Sequence, residues 1–398
     1  MSLAQPFRTN LSTRLGRSDR SPLGRWFWEI DKVLLILVAV LISIGLIAVA
    51  AASPAAGQRL SGGSHNVPPL YYFYRQLIWI MLAVPVMIGA SMLGKATARR
   101  LSILGAIFGF ILLFLVPMIG VEVNGARRWL DVGVTQLQPS EFLKPLFIVT
   151  IAWLLSLKEK DSSLPVVSLS AVLTGVIALL LMRQPNLGET VIFVAAWVLL
   201  LALSGASMRI LYMLGAAALA GLLLAYLFYD VATQRINGFL FSEGDQYQVE
   251  SALRTLTAGG LFGAGPGAGT RKFSLPEPHT DYIFSVIGEE FGIIACLAIA
   301  ILYMTIVVRV LVRLLAEEDK FLVLATAGLV CQFGLQAMIN MAVNVHIAPS
   351  KGMTLPFISY GGSSMIALAL GFGLLLAFSR RNPHLLGPPY AVKWRGLK

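Results

Sequence analysis

Charged side chains are scarce in this chain: 13% of its 398 residues are Asp, Glu, Lys or Arg, against about a quarter in an ordinary soluble domain. Half the usual density leaves too little polar surface to keep a globule of this length in water, so a soluble domain is excluded. Cysteine is scarcer still. Cys296 and Cys331 both lie inside apolar stretches, where small buried thiols serve helix packing. The four histidines (His65, His279, His346 and His384) show no metal-ligand spacing. Outside the apolar stretches there is no appended segment long enough to form a separate soluble catalytic domain.

What the chain does have is apolar length. Hydrophobic residues make up 57% of it, grouped in runs close to the ~20 residues that span a hydrocarbon core. The runs fall at about 33–52, 77–94, 101–121, 142–157, 166–182, 187–204, 210–228, 283–308, 321–345 and 362–379. They predict an all-α integral membrane protein, a bundle of about ten transmembrane helices with a long outer loop at about 229–282 between the seventh and eighth. The first 31 residues are polar and basic, with Arg8, Arg14, Arg17, Arg20 and Arg25. The apolar run that follows is too long for a cleaved signal peptide, so it reads as a retained first helix behind a cytoplasmic tail. The membrane domain then extends over 32–381, and 382–398 form a second cytoplasmic tail.

The placement of positive charge fits this topology. Lys95, Arg99, Arg100, Lys158, Lys160, Arg209, Arg309, Arg313 and Lys320 fall on the same side as both tails, which marks that side as cytoplasmic. Both termini are expected inside. The net charge of +11 suits anionic lipid headgroups of the inner leaflet, and nucleic acid binding has no separate support.

The outer segments are about 53–72, 120–140, 229–282 and 346–360. The first is rich in Ser, Gly and Pro and reads as linker. The third contains the run GGLFGAGPGAG. A phosphate-binding loop is excluded, because GPGAGTRK lacks the Gly-Lys-Ser/Thr ending. A surface loop and a re-entrant segment near the headgroups both remain open. Gln332, Gln336, Asn340 and Asn344 recur every four residues along the ninth run, a stripe that must face the bundle interior or a wet cavity. Helix-to-helix hydrogen bonding and a substrate path both fit it. Glu289 and Glu290 stand about two turns into the eighth run, where each must be paired, protonated or lining a cavity.

Four motifs gather the polar residues of the outer side. In NGARRWLDVGVTQLQPSEFLK, Arg127, Arg128 and Trp129 offer cations and an indole suited to phosphate and sugar, or simply to interfacial anchoring. Pro139 stands where a helix begins, with Glu141 in its first turn. Glu141 and Lys144, three apart, share a helix face. They either neutralise each other at the rim of the bilayer or position a substrate cavity. RQPNLGE, from Arg183 to Glu189, reads as a tight outer turn. In LPEPHTDYIFSVIGEEFG, Thr280 is a natural N-cap for the eighth helix and Asp281 its first residue. Dipole compensation alone accounts for a carboxylate there. Glu277, His279 and Asp281 nevertheless cluster where the long loop re-enters the membrane, and ionisable groups at that depth are functional candidates. In PSKGMTLPFISYGGSS, Lys351 sits in a Pro/Gly-bounded turn ahead of Ser363.

Together these motifs resemble the SEDS family (shape, elongation, division and sporulation), the multi-spanning peptidoglycan glycosyltransferases. The resemblance runs from about Asp31 to Arg381 with the motifs in the expected order, and SKGMTLPFISYGGSS is most similar to the division branch; the rod-elongation branch usually lacks that lysine. In one place the chain departs from the pattern. The family usually reads QPDxGT where Asn186 and Glu189 replace the aspartate and threonine, so no catalytic role is assigned to position 186. The resemblance implies polymerisation of lipid II, the undecaprenyl-diphosphate-linked disaccharide-pentapeptide, at the outer face of the bacterial inner membrane, at the division septum. It implies Asp281 as general base. The implied substrate contacts are Arg127, Arg128, Trp129, Glu141, Lys144, Lys272, Glu277, His279, Lys351 and Ser363, with Arg128, Lys144 and Lys351 foremost for the diphosphate. A divalent cation (Mg or Mn) is a further expectation for that charge. The implied partners are the undecaprenyl-linked glycan, a class B penicillin-binding transpeptidase, membrane proteins of the division complex and membrane lipids. A lipid II flippase would also use a polar stripe, although no inverted repeat of interrupted helices is visible. A non-enzymatic scaffold for a transpeptidase would not need Asp281.

Overall fold

Each apolar run folds as a helix. The structure, a computed structural model, describes residues 22–61, 67–123, 125–133, 135–159, 161, 163–229, 233, 237, 247–349 and 352–380. A short helix α1 (Pro22–Glu29) precedes α2 (Lys32–Leu60), α3 (Tyr71–Met92), α4 (Lys95–Ile119), α5 (Pro139–Ser156), α6 (Val166–Arg183), α7 (Leu187–Leu203), α8 (Met208–Phe228), α9 (Tyr247–Ala258), α10 (Ile283–Leu314), α11 (Lys320–Asn344) and α12 (Ser363–Phe378). Among the described residues, eight helices are long and apolar enough to cross a membrane, and α7 and α12 are shorter apolar helices. The protein is a multi-pass membrane protein.

Local chemistry sets several of the helix starts. Asp31 accepts hydrogen bonds from Val33 N and Leu34 N at the start of α2, and Asp319 does the same for Phe321 N and Leu322 N at the start of α11. Such caps satisfy amides that the first turn leaves without helical partners. Asp31 has a second task. It holds Arg309 through two bonds of 3.0 and 2.9 Å and Arg313 at 2.5 Å, tying α2 to the inner end of α10. Pro139 opens α5 with Glu141 in its first turn, as expected.

The centre of the bundle is α5 with α11. Their most apolar windows are 61% and 67% buried within the protein, against 28–33% for α2, α3, α4, α6 and α10 and 0% for α8. Helix α8 therefore buries no residue of that window fully within the protein, while α5 and α11 can carry polar groups shielded from lipid. Helix α12 packs along α3 and against α5 and α11.

Three expectations are corrected. Residues 53–72 are not all linker: α2 continues through Pro54 to Leu60, because Ala52, Ala55, Ala56 and Gly57 are small enough to be buried against neighbouring helices. Tyr72 N donates to the buried Ser53 Oγ at 3.2 Å and joins α2 to α3. Within 120–140 lies a three-stranded antiparallel sheet of β1 (Val121–Val123), β2 (Ala126–Asp131) and β3 (Gln136–Leu137). Thr280 is not an N-cap either. Helix α10 begins at Ile283 after Tyr282, which makes no side-chain cap bond.

Helix α10 is broken at Gly292, where φ is 80° and ψ 175°. The glycine-rich run inserts into the break and exchanges backbone hydrogen bonds with it. Ala264 N donates to Glu289 O at 2.8 Å and Gly265 N to Glu290 O at 3.1 Å, while Ile293 N donates to Gly260 O at 3.0 Å. A Cβ on Gly292 would stand 2.2 Å from Leu261 O, so only glycine permits the approach. Irregular backbone survives at this depth because its polar groups are paired within the protein. The run packs against α10 through these bonds, which a re-entrant segment would need.

Candidate active site at the outer ends of α10 and α11

The segment His279-Thr280-Asp281 is held by its own carbonyls. His279 O accepts from Tyr360 N at 2.9 Å, and Thr280 O accepts from Ser359 Oγ at 2.7 Å. Asp281 O accepts from both Asn340 Nδ2 at 2.9 Å and Asn344 Nδ2 at 3.0 Å. The polar stripe of α11 supplies these donors and also braces the following loop: Gln336 Nε2 reaches Thr354 O at 3.1 Å and Asn340 Nδ2 reaches Met353 O at 2.6 Å. Three successive peptide units are thereby fixed.

The Asp281 side chain is half-buried. A Cβ placed on Gly352 would lie 3.1 Å from Asp281 Oδ2, so the loop backbone forms one wall of the carboxylate's pocket. Burial, with the charge of nearby Glu277, pushes the carboxyl up to about 7. Glu277 itself is exposed and accepts from Thr280 Oγ1 at 3.1 Å. His279 is buried, its ring centroid 3.8 Å from that of Tyr72 and 5.4 Å from that of Tyr360. Burial holds its imidazole down to about 4, hence neutral at physiological pH. Among the described residues its Nδ1 has no hydrogen-bond partner. A poised carboxylate, a neutral imidazole and an outward-facing acid thus share one corner.

Glu289 and Glu290 grip the glycine-rich segment. Glu289 accepts from Arg271 N at 2.6 Å and Lys272 N at 2.9 Å; Glu290 accepts from Gly267 N and pairs with Lys272 Nζ. Lys272 also donates to Ala51 O at 2.9 Å and is fully buried. Its ammonium faces the fold of the loop.

Lys144 lies 2.7 Å from Glu141 and 3.7 Å from Glu189, all three nearly buried. Gln138 Nε2 donates to Glu189 Oε1 at 2.9 Å, and Asn186 Oδ1 accepts from Glu189 N at 3.4 Å to cap α7. The two departures from the family pattern therefore touch each other, and Glu189 also touches the lysine. A small apolar cavity is lined by Glu141, Pro145, Gln332, Phe333 and Gly371, so one member of this cluster and one of the polar stripe stand on its wall. Arg128 donates to Gln184 O at 2.9 Å and Pro185 O at 2.5 Å, joining β2 to the turn between α6 and α7. Arg127 pairs with Glu122 across the hairpin at 3.3 Å, exposed, and Trp129 stands opposite Val121. Ser363 opens α12 and is buried. Lys351 lies outside the described residues.

Sequence reasoning singled out Asp281, Glu277 and His279 as one cluster and Glu141 with Lys144 as a pair. It missed Glu189, Gln138, Ser285 and Ser359 as parts of these networks. The i, i+4 spacing of the α11 stripe was a signal, although its targets, backbone carbonyls distant in sequence, were not readable.

Fold and site together define a polytopic helical membrane protein whose buried polar groups converge on the N-terminal end of α10 and the C-terminal end of α11. The chain belongs to the FtsW/RodA/SpoVE cell cycle protein family, whose model matches residues 31–384. It is 38% identical over 381 residues to the "Probable peptidoglycan glycosyltransferase FtsW" of Caulobacter vibrioides (strain NA1000 / CB15N), covering 95% of this chain and 96% of that protein. The protein of the same name from Coxiella burnetii (strain RSA 493 / Nine Mile phase I) is 34% identical over 372 residues, covering 89% and 98%. Among solved structures, the fold is similar to the rod shape determining protein RodA of Thermus thermophilus, with a TM-score of 0.65, 27% identity and coverage of 88% of this chain and 96% of that one. It is also similar to a chain in a structure titled "Structural coordination of polymerization and crosslinking by a peptidoglycan synthase complex", with a TM-score of 0.71, 25% identity and coverage of 88% and 97%.

Proposed function

We propose that this chain is a peptidoglycan glycosyltransferase that polymerises lipid II into β-1,4 glycan at the outer face of the inner membrane during cell division, with Asp281 as general base. The observation that carries the reading is the Asp281 carboxyl: half-buried, pushed up to about 7, on a backbone fixed at three successive carbonyls. A base whose pKa lies near the working pH combines the ionised form with useful basicity. The acceptor hydroxyl gives its proton to the Asp281 carboxylate as its oxygen bonds to the donor's anomeric carbon. The bond from that carbon to the diphosphate breaks, and undecaprenyl diphosphate leaves. One displacement inverts an α-linked donor to a β-linkage.

The departing diphosphate needs positive charge. Arg128, Lys144 and Lys272 are engaged with partners inside the protein. We assign the charge foremost to Lys351, whose sequence neighbour Gly352 lies against Asp281 Oδ2. Among the described residues no three of His, Cys, Asp and Glu could hold a metal ion together. A cation such as Mg is commonly held by one or two carboxylates together with substrate phosphates, so Mg or Mn enters the proposal as an ion shared with the diphosphate. The stripe of α11, which would also have suited a flippase, directs its amides at the backbone around Asp281. A class B transpeptidase with its division complex is the proposed partner, supported by the similarity to a chain of a peptidoglycan synthase complex. Both termini are proposed to be cytoplasmic, and the site of action the septum.

The test is glycan synthesis from labelled lipid II by purified protein, with and without its transpeptidase. Asp281→Asn keeps size and hydrogen bonding but removes basicity, and should lower turnover about 10²–10⁴-fold. Near wild-type synthesis by a folded Asp281→Asn protein would move the base elsewhere. A scaffold or flippase would make no glycan at all.

A further inference from the structure

Helix α10 starts without a side-chain cap of its own, because the Tyr282 side chain makes no bond to the first-turn amides. First-turn amides left unpaired away from water are costly. Asn344, the last residue of α11 and 0% exposed, reaches this first turn from another helix and shares Ser285 N with Tyr282 O, which lies 3.1 Å from it. Its Oδ1 accepts from Ser285 N at 3.1 Å and Ser285 Oγ at 2.8 Å. Its Nδ2 donates to Asp281 O at 3.0 Å and Asn340 O at 2.9 Å. One planar amide thus caps α10 with its oxygen and grips the proposed base's carbonyl with its nitrogen.

We infer that Asn344 is a positioning residue for Asp281: through these bonds it sets the direction in which the Asp281 carboxylate leaves the backbone toward the acceptor hydroxyl. The inference rests on Asp281 being the base. A purely structural amide bridging two helices could use any buried carbonyl. Here the carbonyl belongs to the residue whose side chain takes the proton, and Asn340 reinforces it from the next turn. Asn340 also holds Met353 O at 2.6 Å, beside the Gly352 wall of the carboxylate. The two asparagines therefore fix both the base's backbone and the surface it leans on. Facing Asp281, α11 presents neutral amides, the loop presents the Gly352 backbone, and among the described residues the charged neighbour is Glu277 on its own segment. Small displacements of a reacting group commonly cost about 10²-fold in rate.

The experiment measures kcat, KM for lipid II, the pH profile and melting curves for wild type, Asn344→Ser, Ser285→Ala and Gln336→Leu. Asn344→Ser should lower kcat about 10²-fold while leaving KM within about twofold, as expected when only the proton-transfer geometry is lost. Its acid limb should move below the wild-type position near 7 as the loosened carboxyl gains solvent. Ser285→Ala removes one hydroxyl bond to Asn344 and should show the same pattern at about a tenth of the size. Gln336→Leu, which frees only Thr354, should lower the melting temperature without moving the acid limb. If Asn344→Ser fails to fold, Ser285→Ala decides in its place. An unmoved acid limb, with activity loss matching the unfolded fraction, overturns the positioning role. Activity in Asp281→Asn would overturn the base itself. An inactive Asp281→Asn beside normal Asn344→Ser and Ser285→Ala proteins would sink the positioning role alone.

Discussion

Two buried lysines in this protein sit in clusters of the same composition, one ammonium and two carboxylates, yet the clusters are built differently. Around Lys272, Glu289 is engaged by two backbone amides and Glu290 by Lys272 itself and Gly267 N. The unit is closed, and it fastens the glycine-rich segment to the break in α10. Around Lys144, Glu141 and Glu189 converge on one ammonium, and Glu189 Oε2 has no hydrogen-bond partner among the described residues. That unit is open, and it borders a cleft. Low dielectric strengthens a complete network and penalises an incomplete one. The difference marks the Lys272 cluster as architecture and the Lys144 cluster as a place able to respond to what enters the bundle.

The largest effect should come from Lys272→Met. It leaves Glu290 buried without its counter-charge, a kind of change that costs about 3–5 kcal/mol. Loss of most folded protein in detergent is expected, with Glu290→Gln added to Lys272→Met recovering part of the melting temperature. A Lys272→Met protein as stable as wild type would show that the closed cluster does not hold the loop.

The open cluster should respond asymmetrically. Lys144→Met strands two carboxylates, whereas Glu141→Gln leaves Lys144 with Glu189, so the lysine change should be the more damaging. A double-mutant cycle on Glu141→Gln and Lys144→Met should report a coupling of roughly 0.5–3 kcal/mol, as for residues in contact. Glu189→Thr, which restores the family's usual residue, should be the mildest of the three. Equal losses for Lys144→Met and Glu141→Gln would mean that Glu189 plays no part.

A smaller effect concerns pH. Asp281, pushed up to about 7, binds its proton more readily in the folded protein, so its contribution favours the fold at low pH and is lost as pH rises through about 7. His279, held at about 4, contributes above its ordinary value of 6.5, and that is lost as pH falls toward 4. Between about 4 and 6.5 the two slopes oppose each other. Asp281→Asn should unmask the histidine, so its melting temperature should climb with pH across that window while wild type stays flatter. A parallel pH dependence in the two proteins would contradict the assignment of either shift. Turnover has the opposite sign to the aspartate's stability contribution, rising with pH to a plateau above about 7.

The same contrast explains what the sequence could reveal. Apolar length is a local property, so run 321–345 became Lys320–Asn344 almost residue for residue. The Glu141–Lys144 pair was legible because three-residue spacing places two side chains on one helix face. The Lys272–Glu290 contact, between a loop and a helix residue 18 positions on, has no such signature. The misplaced cap has the same origin. Thr280 satisfied every local rule for an N-cap, but the side-chain acceptor that serves α10 comes from Asn344, 59 residues beyond Ser285. The β-hairpin went unread because ARRWLD shows no clean alternation, its burial running from buried Ala126 and exposed Arg127 through three partly covered residues to exposed Asp131.

The smallest effect belongs to a pair that faces water. Arg127 and Glu122 are 3.3 Å apart, with side chains 53% and 57% exposed, across the β1–β2 hairpin. Solvent screens such a pair, and fixing two long side chains offsets much of its attraction, so exposed pairs are worth about 0–1 kcal/mol. Arg127→Gln should leave the melting temperature unchanged within error, and added salt should not alter the difference from wild type. Its effect on activity tests something separate. If Arg127 only braces the hairpin, lipid II turnover should also be unchanged. If its guanidinium meets the substrate's phosphates, KM should rise at low salt and the defect should shrink as salt screens the wild-type contact. A large stability loss in Arg127→Gln would show that the hairpin is held far more tightly than an exposed ion pair allows, and would remove the contrast between the wet and the buried charges of this protein.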